Sequence, residues 1–466
     1  MARVVIIGGG PAGYEAALVA AQLDAEVTVI EADGAGGACV LSDCVPSKTL
    51  IASCEAVTAF RHGERLGVRV ADPAAVSLDA AMVHARVKRL ALAQSADIAG
   101  KLEAAGVELI RGRARLGTHA PGHHHPVVIE PADGAPYEVQ ATTVLIATGA
   151  TPRILPRCEP DGERILSWRQ VYDLDELPSH LIVVGSGVTG AEFASAYLAA
   201  GVDVTLVSSR DRVMPHEDPD AANVIERVFR ARGMNVLSKS RASAVTRTAD
   251  GVVVTLDDGR TVTGSHALMA VGSVPNTANL GLAEYGVALS PSGHVTVDRV
   301  SRTNIPGIYA AGDCTGVLPL ASVAAMQGRI AMWHALGEAV SPLWLPTVSA
   351  NVFTDPELAT VGVSQSDVDS GRVPGRSVML PLAGNARAKM SDLTDGFVKL
   401  FCRSGSGTVI GGVVVAPKAS ELILPIAMAV ENHLSVSQLA HTITIYPSLS
   451  GSIAEAARQL MHREYE

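Results

Sequence analysis

Two copies of one glycine-rich pattern place the strongest constraint on the fold of this chain. A short β-branched run, Arg3 to Ile7, leads into Gly8-Gly9-Gly10-Pro11-Ala12-Gly13 and then an alanine-rich segment. The pattern returns about 180 residues later, where Leu181 to Val184 leads into Gly185-Ser186-Gly187-Val188-Thr189-Gly190. In a βαβ unit the first glycine permits a tight turn, the second admits a pyrophosphate, and the third packs helix against strand. The sequence therefore predicts an α/β fold with two Rossmann-like units and two separate nucleotide sites.

Composition narrows the class of protein further. A chain of 466 residues is too long to fold around a single hydrophobic core, and the length favours about three domains. The net charge is −10 without a basic stripe, so we expect no nucleic-acid partner. No apolar run is long enough to span a bilayer. Because the first predicted strand begins within a few residues of Met1, we expect no secretory signal. Six cysteines are too few for a disulfide scaffold, which favours a reducing cytoplasm.

Turn signals divide the chain into four segments. A predicted strand at Thr143 to Ala147 ends in Thr148-Gly149 with prolines beyond, and another at Ala267 to Val271 ends in Gly272. The proline-bearing stretch Ser341 to Pro346 marks the last boundary. We predict a first nucleotide-binding segment at 1–152, a second nucleotide-binding segment at 153–274, a return to the first domain at 275–343, and a final α+β domain at 344–466.

An acidic residue strengthens the first nucleotide site. Glu31 closes the second predicted strand, where its carboxylate can accept hydrogen bonds from both ribose hydroxyls of a dinucleotide. The phosphates would then lie at a helix N-terminus, where free N–H groups and the helix dipole favour anions.

Two cysteines and a lysine follow this site directly. Cys39 and Cys44 are five residues apart on a predicted helix start, close enough to bridge with modest unwinding. A helix N-terminus lowers the pKa of a thiol, which suits a reactive thiolate. Lys48, one turn further, would place an ammonium group where negative charge develops on a bound redox cofactor.

The stretch Gly36-Gly37-Ala38-Cys39-Val40-Leu41-Ser42-Asp43-Cys44-Val45-Pro46-Ser47-Lys48 resembles the GG-x-C-x4-C-x-PSK signature of the pyridine nucleotide–disulfide oxidoreductases. Further motifs of that family occur in the same order, at Thr148-Gly149, Ile308 to Asp313, Leu320-Ala321-Ser322 and Val352 to Glu357. The resemblance covers essentially the whole chain. It implies FAD, a nicotinamide nucleotide, no metal, and a C-terminal dimerisation domain that makes the protein a homodimer.

The resemblance also implies particular residues at each cofactor. For FAD they are Gly8, Gly10, Ala12, Gly13, Glu31, Ala32, Gly37, Ala38, Lys48, Ala114, Thr148, Gly149, Asp313, Leu320 and Ala321. For the nicotinamide nucleotide they are Gly185, Gly187, Val188, Thr189, Gly190, Ser208, Ser209, Arg210 and Gly272. Glu192 matches the family glutamate that pairs with the lysine beside the flavin, so Lys48 and Glu192 form the predicted hydride-transfer couple. Asp43 replaces a usual glycine, and we expect its carboxylate to point to solvent.

The end of the second strand in the second site indicates the nucleotide preference. An acidic residue at this position would accept a hydrogen bond from a ribose 2′-hydroxyl. This sequence has instead the stretch Ser208-Ser209-Arg210-Asp211-Arg212. Hydroxyls and guanidinium groups would instead hold a 2′-phosphate, so we expect NADPH to be accepted at least as well as NADH. A solvated basic loop is the alternative.

The C-terminal acid–base pair of the disulfide reductases is missing. Tyr446 stands where the family has histidine, and Gly451 stands where it has the orienting glutamate. A phenol with a pKa near 10 is a poor base at neutral pH. His441 and Glu455 flank these positions and are expected to be helix-surface residues. The pattern is similar to actinobacterial homologues of dihydrolipoamide dehydrogenase that act as NAD(P)H:quinone reductases, so we predict a flavin-dependent NAD(P)H:quinone oxidoreductase in which Tyr446 takes the histidine position.

Three alternatives remain open. Cys39 and Cys44 could reduce a disulfide whose leaving thiol needs little acid assistance. Tolerance of two nucleotides could serve a soluble transhydrogenase. A flavin-bearing docking subunit is the third. Two other features are interpreted structurally: His123-His124-His125 as a solvated loop, and the four other cysteines, Cys54, Cys158, Cys314 and Cys402, as packing residues.

Overall fold

A computed structural model describes residues 2–61, 63–69, 71–72, 75–118 and 122–462. The chain divides into two compact units. Unit 1 comprises Met1–Thr49, His84–Arg153 and Gly272–Trp344, and unit 2 comprises Leu50–Val83, Ile154–Val271 and Leu345–Glu466. Among the described residues, no helix is long and apolar enough to cross a membrane.

The strands, in chain order, are β1 (Arg3–Ile7), β2 (Glu26–Glu31), β3 (Glu108–Leu116), β4 (His125–Pro131), β5 (Tyr137–Ala141), β6 (Thr143–Ile146), β7 (Ala150–Pro152), β8 (Ile165–Ser167), β9 (His180–Val184), β10 (Asp203–Val207), β11 (Asn235–Leu237), β12 (Ala242–Arg247), β13 (Val252–Leu256), β14 (Thr261–Gly264), β15 (His266–Met269), β16 (Ser273–Pro275), β17 (Ile308–Ala310), β18 (Ser349–Val352), β19 (Glu357–Gly362), β20 (Gly375–Pro381), β21 (Phe397–Arg403) and β22 (Val409–Ala416). The α-helices are α1 (Pro11–Gln22), α2 (Gly37–Leu41), α3 (Cys44–Arg61), α4 (Ala80–Ala104), α5 (Val188–Ala200), α6 (Pro219–Ala231), α7 (Leu282–Tyr285), α8 (Ala321–Ala335), α9 (Gln365–Asp369), α10 (Ala386–Met390), α11 (Ala419–Leu422), α12 (Leu424–Glu431), α13 (Val436–His441) and α14 (Gly451–His462).

Unit 1 is built on a sheet of order β17-β6-β1-β2-β3-β4-β5. The strands from β17 to β3 pair in parallel, whereas β4 and β5 continue antiparallel. Val4, Val5 and Ile6 of β1 are fully buried, the continuous apolar run expected of a parallel strand covered on both faces. Helices α1 and α8 belong to the apolar cluster on one of those faces. This arrangement confirms the predicted α/β class.

The described residues of unit 2 form three sheets. One is a parallel sheet of order β11-β10-β9-β15-β8, with α5 leading from β9 to β10 as in the predicted second βαβ unit. A second sheet, β12-β13-β14, is antiparallel. The third is the antiparallel sheet β18-β19-β22-β21-β20, whose apolar core includes residues of α12 and α14. The predicted α+β class of the C-terminal domain is therefore confirmed.

One histidine departs from the sequence interpretation. His123 and His124 are exposed, but His125 begins β4, is buried, and places its Nδ1 2.8 Å from the Tyr285 hydroxyl. The expectation of a solvated loop is wrong for His125, because the apolar run that follows it, Val127 to Ile129, draws the strand into the core.

A buried lysine ties the third sheet of unit 2 to α6. Lys399 lies in the middle of β21 with its side chain 2% exposed. Its ammonium donates to the Asp218 carboxylate at 2.8 Å and to Asp220 at 2.6 Å. Asp218 is also the N-cap of α6, where it accepts the backbone N–H groups of Asp220 and Ala221. The same carboxylate therefore caps the N-terminus of α6 and neutralises the buried Lys399 ammonium.

Replacing Lys399 by methionine should destabilise the protein strongly. The Lys399→Met change leaves the buried Asp218 carboxylate without its cation, which costs about 3–5 kcal/mol of unfolding free energy. The matched change Asp220→Asn removes a half-exposed partner and should cost about 0–1 kcal/mol. Chemical denaturation of the FAD-loaded protein measures both changes, and equal losses would contradict the assignment.

Candidate active site

The first glycine turn leaves no room for side chains at two positions. Gly8 has a φ of +109°, and a Cβ there would overlap the carbonyl oxygen of Ala147. A Cβ on Gly13 would overlap the Gly8 carbonyl oxygen, which brings α1 against β1. At Gly10, by contrast, a Cβ would have its nearest neighbour, the Gly36 carbonyl oxygen, 4.0 Å away. Two glycines thus close the turn and the third leaves open space for a phosphate.

Glu31 closes β2 beside this turn. Its Oε2 accepts the Gly9 N–H at 2.6 Å and its Oε1 accepts the Asp33 N–H at 2.8 Å. These two bonds hold the carboxylate against the turn. Each oxygen retains a lone pair for a ribose hydroxyl, because an ionised carboxylate has about four acceptor sites.

Four of the predicted FAD residues lie at one edge of the sheet in unit 1. Strands β17, β6, β1 and β2 are parallel neighbours, so their carboxyl ends meet at the same edge. Gly8, Glu31, Thr148 and Asp313 follow or end these four strands. Ligands of open α/β sheets bind at this edge. Thr148 is held by its hydroxyl, which donates to the Asn276 carbonyl at 2.7 Å.

Asp313 and α8 complete this edge. Burial raises the pKa of the Asp313 carboxyl, and the nearby His294 charge opposes that rise. Gly312 donates its N–H to the Gln327 side chain at 2.9 Å, which fixes the turn before Asp313. Helix α8 begins at Ala321 with Leu320 as its N-cap, and its first turn leaves N–H groups without partners inside the helix. The resemblance puts the flavin beside this helix start.

The two cysteines lie on different helices. Cys39 belongs to α2, Cys44 begins α3, and Ser42 interrupts the helical path with a φ of −143°. The expectation of a single, slightly unwound helix is therefore wrong. The break places the Cys44 thiol at a helix N-terminus, where it donates a hydrogen bond to the Cys39 sulfur.

Neighbouring groups act on both thiols. The hydrogen bond from Cys44 lowers the pKa of Cys39 and, as its counterpart, raises the pKa of Cys44. The Lys48 ammonium lowers the pKa of both thiols, while the Asp43 carboxylate raises both. Asp43 is half-buried, and its charge acts on the pair. The expectation that Asp43 points to solvent without effect on the thiols is wrong as to the effect, because its charge raises the pKa of both cysteines.

Neutralising Asp43 should make the thiols more reactive. Asp43→Asn removes a negative charge that opposes thiolate formation, so the pKa of both cysteines should fall and alkylation of the reduced protein by iodoacetamide at neutral pH should become several-fold faster. The pH profile of the alkylation rate measures the effect. Asp33→Asn, at an exposed carboxylate of the same unit, is the control, and an unchanged profile for Asp43→Asn would refute this role.

The second glycine turn, in unit 2, repeats the first. A Cβ on Gly185 would overlap the Ala270 carbonyl oxygen, and one on Gly190 would overlap the Gly185 carbonyl oxygen. Gly187 has open space around it, like Gly10. Helix α5 begins directly after it, at Val188 and Thr189. The geometry fits a second phosphate-binding turn.

The strand that follows ends differently in the two sites. Ser208 directly follows β10, is fully buried, and places its Oγ 2.7 Å from the Ser186 Oγ. It also accepts the Arg210 N–H at 3.2 Å. Ser209 and Arg210 are exposed. A neutral serine pair therefore occupies the place that Glu31 and the Gly9 N–H occupy in the first site. Sequence spacing did not reveal this pair, since it depends on the parallel pairing of β9 with β10.

Glu192 lies on α5 and is 4% exposed. Its Oε1 accepts the Phe353 N–H at 2.9 Å, and the neighbouring Ser195 hydroxyl accepts the Asp355 N–H at 3.0 Å. The segment that opens the C-terminal domain thus fixes Glu192 in one orientation. Lys48 belongs to unit 1 and Glu192 to unit 2, and their pairing stays a prediction.

The C-terminal positions contain no acid–base pair. Tyr446 is 85% exposed, and Gly451 begins α14 without a side chain to orient anything. His441 is exposed and bonds its own helix through the Ser437 carbonyl at 2.7 Å. Glu455 is engaged by Arg458 on the same helix at 2.6 Å. The interpretation of His441 and Glu455 as helix-surface residues is confirmed.

Family models match nearly the whole chain. Residues 2–328 match the pyridine nucleotide-disulphide oxidoreductase model, and residues 348–457 match the dimerisation domain of the same family. The chain belongs to the pyridine nucleotide-disulphide oxidoreductases, as the motifs predicted. Membership of this family implies FAD and a nicotinamide nucleotide as cofactors, and the dimerisation domain indicates a homodimer.

Individual relatives narrow the comparison. The chain is 62% identical over 464 residues to a Mycobacterium tuberculosis protein named NAD(P)H dehydrogenase (quinone), covering 98% of this chain and 94% of the relative. It is 34% identical to the dihydrolipoyl dehydrogenase of Chlorobaculum tepidum, covering 97% and 96%. The crystal structure of LpdA from Mycobacterium tuberculosis superposes with a TM-score of 0.95 at 61% identity, over 99% of this chain and 100% of that one.

Proposed function

We propose that this protein is an FAD-dependent NAD(P)H:quinone oxidoreductase of the cytoplasm and not an efficient dihydrolipoamide dehydrogenase. The observation that supports this most is the pair of positions Tyr446 and Gly451, which leave no histidine–glutamate dyad for thiol chemistry. The name of the 62% identical mycobacterial relative agrees with the proposal.

The residues around the first turn suit FAD. The open space at Gly10 and the start of α1 accommodate the pyrophosphate, and the remaining lone pairs of Glu31 accommodate the adenosine ribose. Asp313 and the N-terminus of α8 would hold the ribityl chain and the ring. When bound, FAD supplies the two-electron chemistry between NAD(P)H and the acceptor.

Two charged side chains would support that chemistry. Lys48 lies one helical turn beyond Cys44 in α3, and its ammonium already stabilises negative charge on both thiols. We assign it the same electrostatic role toward the flavin. Glu192, buried and anchored by the Phe353 N–H, would orient the lysine.

Reduction of a disulfide substrate needs a proton relay that this chain lacks. The interchange thiol must lose a proton and the leaving thiol must gain one, and a positioned acid–base group contributes about 10²–10⁴-fold to such steps. A phenol is by its chemical type a poorer general base than the imidazole it replaces. Asp43 further opposes thiolate formation at Cys39 and Cys44. A quinone, which takes electrons without a thiol intermediate, needs none of these groups.

The second site should accept NADPH at least as well as NADH. No carboxylate stands where Glu31 stands in the first site, so a 2′-phosphate meets no repulsion from that position. The Ser208 hydroxyl is buried and bonded to Ser186, so we assign it the role of holding the loop against the glycine turn. We assign the contact with the 2′-phosphate to Ser209 and Arg210, which are exposed.

The dimer should cover an exposed apolar segment of the C-terminal domain. Ile443, Ile445 and Tyr446 are 98%, 80% and 85% exposed, and monomeric proteins rarely leave such a run in water. We propose that this segment meets the partner subunit and places Tyr446 where the family histidine would act.

A panel of acceptors tests the function. NADPH oxidation by the purified FAD-loaded protein should be fast with a soluble benzoquinone or naphthoquinone, and about 10²–10⁴-fold slower with lipoamide than in relatives that keep the dyad. Rapid lipoamide-dependent turnover by the wild-type protein would overturn the proposal.

The cysteine pair allows a second candidate, a disulfide reductase, because the hydrogen bond from Cys44 lowers the pKa of Cys39 and so favours a thiolate there. The double variant Cys39→Ser/Cys44→Ser separates the two. Quinone reduction should survive the double change nearly unaltered, with Cys54→Ser as the matched control at a buried cysteine. Loss of quinone turnover in the double variant alone would favour the thiol route.

A further inference from the structure

At the carboxyl edge of the parallel sheet in unit 2, a second basic residue, Lys239, lies beside the loop that follows β10. Strands β10 and β11 are parallel, with Val207 opposite Leu237. The loops that follow these two strands therefore both begin at the carboxyl edge of the sheet. Ser208 to Arg212 follows the first strand and Ser238 to Ser240 follows the second. Residues some 30 positions apart in the sequence, a typical βαβ spacing, thereby become neighbours.

Backbone hydrogen bonds join these two loops beyond the strands. The Ser208 N–H donates to the Leu237 carbonyl at 2.9 Å, and the Ser240 N–H donates to the Ser208 carbonyl at 2.7 Å. The Lys239 N–H donates to the Arg210 carbonyl at 2.7 Å. Lys239 and Arg210 are thus held side by side at the main chain.

The Ser186–Ser208 pair holds the loop after β10 through side-chain hydrogen bonds. Ser208 Oγ lies 2.7 Å from Ser186 Oγ and accepts the Arg210 N–H at 3.2 Å. Ser186 is the second residue of the glycine turn, so the turn and the basic loop are coupled through one buried hydroxyl. Lys239 adopts a left-handed φ of 50°, a conformation that a non-glycine residue holds only where its surroundings enforce it.

The two cations have no acidic partner of their own. Within the described parts of the chain, neither the Lys239 nor the Arg210 side chain has a carboxylate within 4.0 Å, and both residues are exposed. The neighbouring cations differ, because Arg260 is paired with Asp258 at 2.7 Å and Arg241 with Asp257 at 3.9 Å. Asp211 is the exposed acid of the same loop.

We propose that Lys239 and Arg210 form a two-cation clamp for the 2′-phosphate of NADPH, held in position by the Ser186–Ser208 pair. The inference rests on the nicotinamide site of the proposed function and adds Lys239 as a determinant of nucleotide specificity. An ammonium and a guanidinium group can contact different oxygens of one phosphate, and the uncharged serine pair leaves them unopposed at the ribose.

Binding of nucleotide fragments tests the clamp without turnover. Isothermal titration calorimetry of the FAD-loaded protein should show tighter binding of adenosine 2′,5′-bisphosphate than of 5′-AMP. Lys239→Met should weaken the bisphosphate about tenfold, the loss expected for one charge-assisted hydrogen bond, and leave 5′-AMP unchanged. Lys239→Arg should retain most of the affinity.

Arg241→Met is the matched control, since it removes an exposed but paired cation two residues away and should leave both affinities unchanged. Equal binding of the two nucleotides by the wild type, or an unaltered bisphosphate affinity in Lys239→Met, would overturn the clamp. Quinone turnover with saturating NADH is measured separately, so a failure of the proposed function is distinguishable from a failure of the clamp.

Discussion

Both nucleotide sites depend on the same close approach of backbone to backbone. Gly8 lies against the Ala147 carbonyl and Gly13 against Gly8 itself, and Gly185 and Gly190 repeat these contacts with Ala270 and with each other. A methyl group at any of the four would overlap an oxygen atom, so the main chain must be bare there. Helices α1 and α5 begin at these turns, so the contacts position the helix starts where the pyrophosphates are predicted to bind.

On that common frame the two sites differ at a single place. The first site ends its second strand with a carboxylate bonded to the turn, and the second ends it with a serine bonded to another serine. Both arrangements hold the loop against the glycine turn. Only the first has a carboxylate at this position, so the repeated architecture presents an acidic side chain at one predicted nucleotide site and neutral side chains at the other.

Much of this could be predicted from the sequence, because the decisive signals are local. The glycine turns, Glu31, the strands β1, β9 and β10, and the change to an α+β pattern all follow from short-range periodicity and turn chemistry. The missing dyad at Tyr446 and Gly451 was visible for the same reason.

Features that depend on tertiary geometry were missed or misjudged. The helix breaks at Ser42, next to Asp43, whose charge acts on both thiols, and no propensity marks that break. The side-chain direction of Ser208 follows from the register of a buried strand. Lys239 reaches the nucleotide loop only because β11 pairs with β10, a contact between distant residues.

The buried Lys399 limits how the protein can be divided. Asp218 belongs to the nucleotide-binding sequence segment, yet the cation that neutralises it belongs to a strand about 180 residues further on. A fragment cut at the apparent segment boundaries would begin α6 with two carboxylates and no counter-ion. The second predicted nucleotide-binding segment is therefore not a portable module, and a chimera that transplants it must bring β21 from the same parent.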